Sequence, residues 1–238
     1  MQNDRYTQED HAFREADPYA LEKYEWTLDV VKRFGTGNSV LNVGCGAGYF
    51  NRLAAERGYI VTALEPDPAA VSTARMNATS GVTVHHTDIF EFSEKDRYGV
   101  IVAHDVLEHI DSDSAAVSKI AQLVAPGGLF IGSVPAMPWL FGLHDELLGH
   151  FRRYTRVGIE RILQDELNVV SLRYFGLTGV PLVWYFSKLR RKPFPLTTTS
   201  DGKATKFQLA QFVCRIERKL KVPIGTSLLF VAQKQFDV

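Results

Sequence analysis

The most informative stretch of this 238-residue chain is Val40-Leu-Asn-Val-Gly-Cys-Gly-Ala-Gly-Tyr-Phe50. An apolar run, Ser39 to Val43, leads directly into three glycines that alternate with other residues. Glycine lets the main chain turn tightly and approach a ligand without a side chain in the way. The residues from Tyr49 to Arg57 are predicted to form a helix that ends at Gly58. A strand, a glycine loop and a helix in this order are typical of nucleotide-binding sites in α/β proteins.

Strands and helices alternate on the C-terminal side of this loop. Strands are predicted at 39–43, 59–64, 82–86, 100–103 and 129–134, with helices between most of them. This alternation predicts an α/β fold with a Rossmann-like, doubly wound, mostly parallel sheet and helices on both faces. Two further predicted strands, at 168–175 and 225–233, bring the sheet to seven strands.

We interpret residues 1–238 as a single domain in which a helical segment, 1–35, precedes the sheet. The ligand-binding core is assigned to residues 36–134, where the alternation is regular. Residues 135–155 and 176–222 break the regular alternation of strands and helices. We therefore predict that these two segments form a small cap or insertion over the core.

Composition and charge exclude several classes of protein. The chain has 27 basic and 27 acidic side chains, so it lacks the basic excess expected of a general nucleic-acid binder. Its two cysteines, Cys45 and Cys214, match no disulfide framework or zinc spacing, which fits a reducing compartment. The N-terminus has no apolar core of signal-peptide type, and no apolar run reaches 18 residues. We therefore expect a cytoplasmic protein that does not bind nucleic acid.

Polar side chains follow the predicted strands at the point where each strand ends. Glu65 closes the second strand, 21 positions after Gly44, and a carboxylate there can accept the hydroxyl protons of a ribose. Asp88 follows the third strand, and His104 and Asp105 follow the fourth. Taken alone, each aspartate is also interpretable as a helix cap. Because the carboxyl ends of parallel strands meet at one edge of a sheet, the whole set predicts a ligand site there.

Five stretches in order resemble the motifs of class I S-adenosylmethionine-dependent methyltransferases, in a type 11/12-like subgroup. They are Val40 to Phe50, Leu64-Glu-Pro-Asp67, His86-Thr-Asp-Ile-Phe90, Val100-Ile-Val-Ala-His-Asp-Val-Leu-Glu-His-Ile110 and Leu123-Val-Ala-Pro-Gly-Gly-Leu129. The resemblance covers about residues 38–134 and implies S-adenosyl-L-methionine as cofactor and S-adenosyl-L-homocysteine as product. Asn42 departs from the pattern, since the family more often has aspartate there.

The resemblance implies a role for eleven positions along the cofactor. The residues for its amino acid and ribose parts are Gly44, Cys45, Gly46 and Gly48, with Glu65 and Pro66 at the ribose hydroxyls. The adenine would contact Asp88 and Ile89, the amino group would contact the backbone carbonyl of His104, and the sulfonium end would lie near Val106 and His109.

The stretch from Trp139 to Thr155 is dense in ionisable and aromatic residues and would lie over the same edge of the sheet. It resembles the His-Asp and Gly-His-x-Arg-Arg-Tyr-Thr segments of a methyltransferase subgroup. Histidine titrates near neutral pH and arginine binds phosphates and carboxylates, so both suit an active site. The catalytic candidates are His144, His150 and Asp145, and the substrate-binding candidates are Trp139, Arg152, Arg153 and Tyr154. In the alternative interpretation, these residues only hold the loop to the sheet through ion pairs.

No metal ion is expected from the spacing of the histidines nearest the cofactor. His104 and His109 are five residues apart, with Asp105 and Glu108 close by. This spacing does not put both histidines on one face of a helix, as an i, i+4 pair would.

The segment 174–221 combines apolar and basic residues. Residues 174–187 are uncharged, and residues 188–221 contain ten lysines and arginines against Asp201 and Glu217. An apolar run beside basic residues is typical of a membrane surface contact. We therefore predict a weak peripheral contact with anionic lipid or a lipid-linked substrate. The alternative is an apolar substrate lid or a dimer contact, and the sequence leaves the oligomeric state open.

The function predicted from the sequence is S-adenosylmethionine-dependent methyl transfer to oxygen, nitrogen or carbon of a small molecule, with sugar- or lipid-linked metabolites among the candidates. An NAD(P)-dependent oxidoreductase is the first alternative. It is disfavoured because Tyr49 occupies the third glycine position of the dinucleotide fingerprint. The second alternative is a non-catalytic module that binds the cofactor or docks to a membrane.

Overall fold

The computed structural model describes residues 17–93, 97–192 and 204–236. Within these ranges seven strands form one sheet: β1 (Ser39–Val43), β2 (Ile60–Glu65), β3 (Val82–His86), β4 (Tyr98–His104), β5 (Val124–Pro135), β6 (Asn168–Phe175) and β7 (Ser227–Gln233). Their spatial order is β3-β2-β1-β4-β5-β7-β6. The first five strands pair in parallel, and β7 is antiparallel to both of its neighbours. The predicted mostly parallel, seven-stranded sheet is confirmed.

Helices cover both faces of the sheet, as predicted. They are α1 (Pro18–Phe34), α2 (Tyr49–Glu56), α3 (Pro68–Met76), α4 (Asp113–Leu123), α5 (Leu143–Leu147), α6 (Arg156–Gln164), α7 (Val180–Trp184) and α8 (Ala204–Lys219), and α7 continues into a π-helical segment, Tyr185–Arg190. Ile120 of α4 and Ile159 of α6 belong to the hydrophobic core on one face. Leu28 of α1, Phe50 of α2 and Cys214 of α8 belong to the core on the other face.

The strand order reverses between β1 and β4, and this reversal positions the site. From β1 the chain moves outward through β2 to β3, and it then returns to the other side of β1 as β4. In open α/β sheets, ligands bind at such a switch point, beyond the carboxyl ends of the strands. The glycine loop directly follows β1, at this point of the sheet.

Two helices begin at capping side chains. The Asp67 carboxylate accepts a hydrogen bond from the Ala70 N–H at 2.9 Å, and Pro68 occupies the first turn of α3. The Thr155 hydroxyl accepts one from the Gly158 N–H at 3.0 Å at the start of α6. Both caps fix where the chain leaves the edge of the sheet that carries the site.

The predicted cap contains regular helices as well as irregular chain. Residues 176–222 include α7 and α8, while residues 193–203 lie outside the described residues. α8 packs against α1, where Arg218 pairs with the buried Glu22 and with Asp29. The N-terminal helix of the 1–35 prediction is α1, and residues 1–16 lie outside the described residues. In the part of the chain that the structure describes, no helix is both long and apolar enough to span a membrane.

Candidate active site

The glycine loop takes backbone conformations that favour glycine. Gly44, Gly46 and Gly48 have φ angles of +68°, +54° and +85°. A Cβ atom at Gly44 would lie 2.6 Å from a methyl carbon of Val106, which is too close for any side chain. The loop therefore packs directly against Val106 at Gly44.

Glu65 is joined to the glycine loop by hydrogen bonds. Its carboxylate, in a residue that is only 8% exposed, accepts the N–H of Gly46 at 2.8 Å and the N–H of Asp67 at 3.0 Å. Each bond uses a different carboxylate oxygen, and each oxygen has a second acceptor position. The residue is thus held rigidly and can still accept two hydroxyl protons, so it fits the predicted ribose contact.

Asn42, the departure from the family pattern, is paired inside the fold. Its side-chain amide donates to the carbonyl oxygen of Asn51 at 2.7 Å, and both residues are buried. A neutral amide at the end of β1 therefore serves to join β1 to α2 beneath the glycine loop.

The residues predicted for the adenine lie in a turn after β3. One oxygen of Asp88 accepts the N–H groups of Phe90 at 2.7 Å and Glu91 at 2.9 Å, so this carboxylate caps the turn. Ile89 is 2% exposed and packs in the core, whereas Phe90 is 46% exposed. Asp88 thus caps a turn and not a helix, and a contact of Asp88 or Ile89 with adenine stays a prediction.

The His104 side chain is buried at the end of β4 and forms hydrogen bonds from both ring nitrogens. Nε2 lies 2.8 Å from the Thr27 hydroxyl, and Nδ1 lies 3.0 Å from the Ser133 hydroxyl. Burial, reinforced by the nearby Lys23 ammonium, lowers the pKa of His104 to about 3. The imidazole is therefore neutral and structural, which agrees with a role for the backbone carbonyl alone.

Helix α1 contributes residues that the sequence analysis did not assign to the site. Lys23, almost fully buried, forms an ion pair with Asp105, whose φ of +54° is unusual for a residue with a side chain. The Tyr24 ring lies 5.4 Å from the His104 ring. Lys23 and Thr27 are four residues apart and therefore lie on the same, buried face of α1. Polar residues at these positions are the sequence feature that could have indicated their role.

Asp145, one of the predicted catalytic residues, is fully buried and forms hydrogen bonds with three neighbours. Its Oδ1 accepts from His150 Nδ1 at 3.0 Å and from Arg153 Nε at 2.7 Å, and its Oδ2 accepts from the Gly142 N–H at 3.0 Å. Burial alone would raise the pKa of Asp145, but the hydrogen bond from His150 and the charge of Arg153 hold it below its usual value. The structure thus unites Asp145, His150 and Arg153 from the predicted set.

His150 also meets the segment that follows β4. Its ring lies 4.7 Å from the His109 ring, at an interplanar angle of 82°. Ligand-type atoms of Glu108, His109 and His150 all lie within 4.8 Å of one another, and these three residues can hold a metal ion. Glu108 was not among the predicted site residues, because its position beside His150 depends on a contact between distant segments.

The remaining predicted substrate residues have different surroundings. Arg152 pairs with Asp113 at 2.9 Å, and the Tyr154 hydroxyl donates to the same carboxylate at 2.8 Å. These contacts hold the loop to the start of α4. Trp139 is 48% exposed, and His144 lies partly buried in α5. A substrate contact by Trp139, Arg152 and Tyr154 and a catalytic role for His144 stay predictions.

Comparison with known proteins agrees with this geometry. A family model described as a methyltransferase domain matches residues 13–172, which is more than half of the chain. This chain belongs to the methyltransferase domain family. The class predicted from the sequence, the class I S-adenosylmethionine-dependent methyltransferases, is confirmed.

Relatives with known names extend the comparison. The chain is 34% identical over 105 residues to a ubiquinone biosynthesis O-methyltransferase of Saccharophagus degradans, covering 42% of this chain and 44% of the relative. It is 30% identical over 172 residues to that of Pseudomonas aeruginosa, covering 63% and 72%. The match thus spans less than half the length of the first relative. The N-methyltransferase NodS from Bradyrhizobium japonicum shares the fold, with a TM-score of 0.59, 18% identity and coverage of 92% and 98%.

Proposed function

We propose that this chain transfers a methyl group from S-adenosyl-L-methionine to a small-molecule acceptor. The hydrogen bond between Glu65 and the Gly46 N–H is the observation that carries the proposal, because it presents a fixed carboxylate beside the glycine loop at the switch point of the sheet. Oxygen is favoured as the methylated atom, since the relatives are named as O-methyltransferases. Nitrogen and carbon remain alternatives for the acceptor screen.

The cofactor end acts by binding and orientation. The cofactor supplies a methyl group on a sulfonium that is already activated, so the protein need not create an electrophile. Glu65 would accept the ribose hydroxyls. Gly44 and Gly48, which lack a Cβ, pack the loop closely against Val106 and Ala74, and the main chain of this loop would contact the amino acid part. Rigid orientation of the two reactants and exclusion of water supply most of the rate.

The acceptor end is proposed to remove a proton. Because His150 donates its Nδ1–H to Asp145, its Nε2 is left as the acceptor atom. A histidine oriented by a buried carboxylate is the arrangement of a general base. A base in this position typically contributes about 10² to 10⁴ in rate for a hydroxyl acceptor. His144, Trp139 and Arg152 are proposed to contact the substrate around this base.

Calorimetric titration tests the cofactor. S-adenosylmethionine and S-adenosylhomocysteine should bind, and NADH should not. Glu65→Ala should weaken binding by at least about 1.5 kcal/mol, as expected for charged hydrogen bonds. Glu56→Ala, at an exposed position of α2, is the matched control and should bind as the wild type does. Unchanged affinity in the Glu65 variant would count against the ribose contact.

A screen of metabolites with methyl-labelled cofactor tests turnover and identifies the acceptor. With the best acceptor, His150→Gln should lower kcat by about 10² while the affinity for S-adenosylhomocysteine stays unchanged. His86→Gln is the control, at an exposed histidine whose ring hydrogen-bonds the Pro66 carbonyl at 3.0 Å. Cofactor binding with no turnover of any acceptor would favour the non-catalytic module.

A weak membrane contact through 174–221 is a second, separate proposal. Three apolar residues of α8 are exposed at helical spacing, Leu209, Phe212 and Ile216, and Leu220 directly after the helix is exposed as well. Leu189 of the π-helical segment is 66% exposed and lies between Lys188 and Arg190. Apolar side chains beside basic ones favour the surface of an anionic bilayer.

Sedimentation with anionic vesicles at low salt tests the contact. Wild-type protein should pellet with the vesicles, and Phe212→Ser combined with Leu209→Ser should remain in solution. Neutral vesicles are the control, since they lack the attraction for lysine and arginine. No binding to anionic vesicles, or dimerisation that the same substitutions abolish, would favour the lid or dimer alternative.

A further inference from the structure

Glu108, His109 and His150 form a cluster of metal-ligand type at the acceptor end. One carboxylate oxygen and two imidazole nitrogens lie within 4.8 Å of one another. A tetrahedral site with bonds of about 2.0–2.1 Å needs donors roughly 3.3 Å apart. Glu108 is fully buried and His109 is exposed, so the His109 ring is the donor with the most freedom to move toward the other two.

The orientation of His150 is that of a metal ligand. A metal-binding histidine almost always donates its other ring N–H to a carboxylate or carbonyl, which fixes the tautomer and the ring. His150 does so, through Nδ1 to Asp145 at 3.0 Å. Asp145 is held in turn by Arg153 and by the Gly142 N–H, so this supporting layer is complete within the protein.

Contacts between main-chain segments keep the three donors together. The Phe151 N–H donates to the Glu108 carbonyl at 2.8 Å, which joins the chain next to His150 to the chain next to His109. The Arg152 pair with Asp113 fixes the same two segments a short distance away. The cluster is therefore set by the fold, and an ion would meet donors that are already in position.

This cluster differs from the pair of histidines considered in the sequence. His104, which the sequence analysis paired with His109, is buried, and both of its ring nitrogens form hydrogen bonds, to Thr27 and to Ser133. It therefore has no ring nitrogen left to bind a metal ion. The partner that the fold supplies is His150, from the segment after α5. The sequence-based expectation of no metal considered only His104 and His109, and it did not include His150.

We propose that Glu108, His109 and His150 bind one divalent first-row transition-metal ion, with Zn²⁺ as the type case. Two imidazoles and one carboxylate suit such ions, and three protein ligands leave a position open for the acceptor hydroxyl. This deepens the proposed function and rests on it for the chemistry. The hydroxyl would bind the ion and lose its proton to solvent, and its oxygen would then attack the methyl carbon as the carbon–sulfur bond breaks. With the ion bound, His150 serves as a ligand and the ion takes over the activation of the hydroxyl.

Titration of the chelator-treated full-length chain with Co²⁺ tests the site directly. One Co²⁺ should bind per chain, with visible absorption of a low-symmetry site. His109→Ala and His150→Gln should each weaken binding at least about tenfold, and Asp145→Asn should weaken it about 10- to 100-fold. His86→Ala is the matched control and should bind Co²⁺ as the wild type does. Calorimetric titration with Zn²⁺ gives the same comparison without a chromophore.

Binding of S-adenosylhomocysteine, measured on the same samples, separates the two proposals. Retained cofactor binding with no Co²⁺ binding, or with Co²⁺ binding equal in wild type and His109→Ala, overturns the metal site and leaves the methyltransferase proposal standing. Co²⁺ binding without cofactor binding would support the metal site and contradict the methyltransferase proposal. Should His150→Gln or Asp145→Asn fail to fold, His109→Ala decides, because that side chain is exposed.

Discussion

The two ends of the candidate active site are built in different ways. The proposed cofactor end consists of the glycine loop, whose main chain meets Glu65 at the end of the next strand. The acceptor end consists of side chains, with Asp145 and Arg153 from one segment against His109 from another. The Asp145 carboxylate is buried at the centre of this end, and it accepts hydrogen bonds from the His150 and Arg153 side chains as well as from the Gly142 N–H.

This difference suggests which kind of ligand each end suits. A backbone cradle is set by φ angles and close packing, as at Gly44 under Val106, and it suits a ligand that does not vary. Side chains on a cap segment can be replaced without altering the sheet, so they suit an acceptor that differs among relatives. Substitutions at the two ends should therefore fail in different ways.

The largest loss of stability is expected at Asp145. Its replacement by alanine leaves the Arg153 guanidinium, whose side chain is only 7% exposed, without its carboxylate. Removing one partner of a buried ion pair typically costs about 3–5 kcal/mol. Urea unfolding should show a loss of that size for Asp145→Ala.

Asp111→Ala is the control for this substitution, since the Asp111 side chain is 85% exposed and its ion pair with Arg152 lies at the surface. A loss below about 1 kcal/mol is expected there. Equal losses in the two variants would remove the distinction between a charged, buried acceptor end and an ordinary surface loop.

The next largest effect is expected at Gly44. Alanine there combines a left-handed backbone, at about 1–2 kcal/mol, with a clash against Val106, at about 1–3 kcal/mol, and it should also weaken S-adenosylhomocysteine binding. Gly58→Ala is the matched control, because its φ is +86° but a Cβ there meets nothing within 4 Å. Calorimetry of unfolding and of binding should show only the backbone cost at Gly58 and both costs at Gly44. Equal effects would mean that close packing at Val106 does not shape the loop.

A smaller effect is expected from the titration of His104, which makes the free energy of unfolding depend on pH. Its pKa is about 3 in the folded protein and near 6.5 in the unfolded chain, so the unfolded state binds the extra proton. Stability should therefore fall by about 2 kcal/mol from this residue between pH 7 and pH 5, and this part should be missing in His104→Gln. Urea unfolding at both pH values measures the difference. An identical pH dependence in wild type and variant would contradict a buried, neutral imidazole.

Most of the fold was predictable because local patterns carry it. Apolar runs, capping residues such as Asp67 and Thr155, and the glycines after β1 each act over a few residues. Every predicted strand is present, although β5 begins at Val124, five residues before the predicted start. The position of Glu65 was predictable for the same reason, since strand length alone puts it at the edge of the sheet.

Tertiary structure alone decided which side chains meet. The sequence marks His150 and Arg153 as candidates, but only the packed loop joins both to Asp145 and brings His150 to His109 and Glu108. Likewise, only the docking of α1 on the sheet gives Lys23 its partner, Asp105. The sequence determines elements through short-range backbone preferences, whereas contacts between distant side chains depend on how those elements pack, which no local pattern encodes.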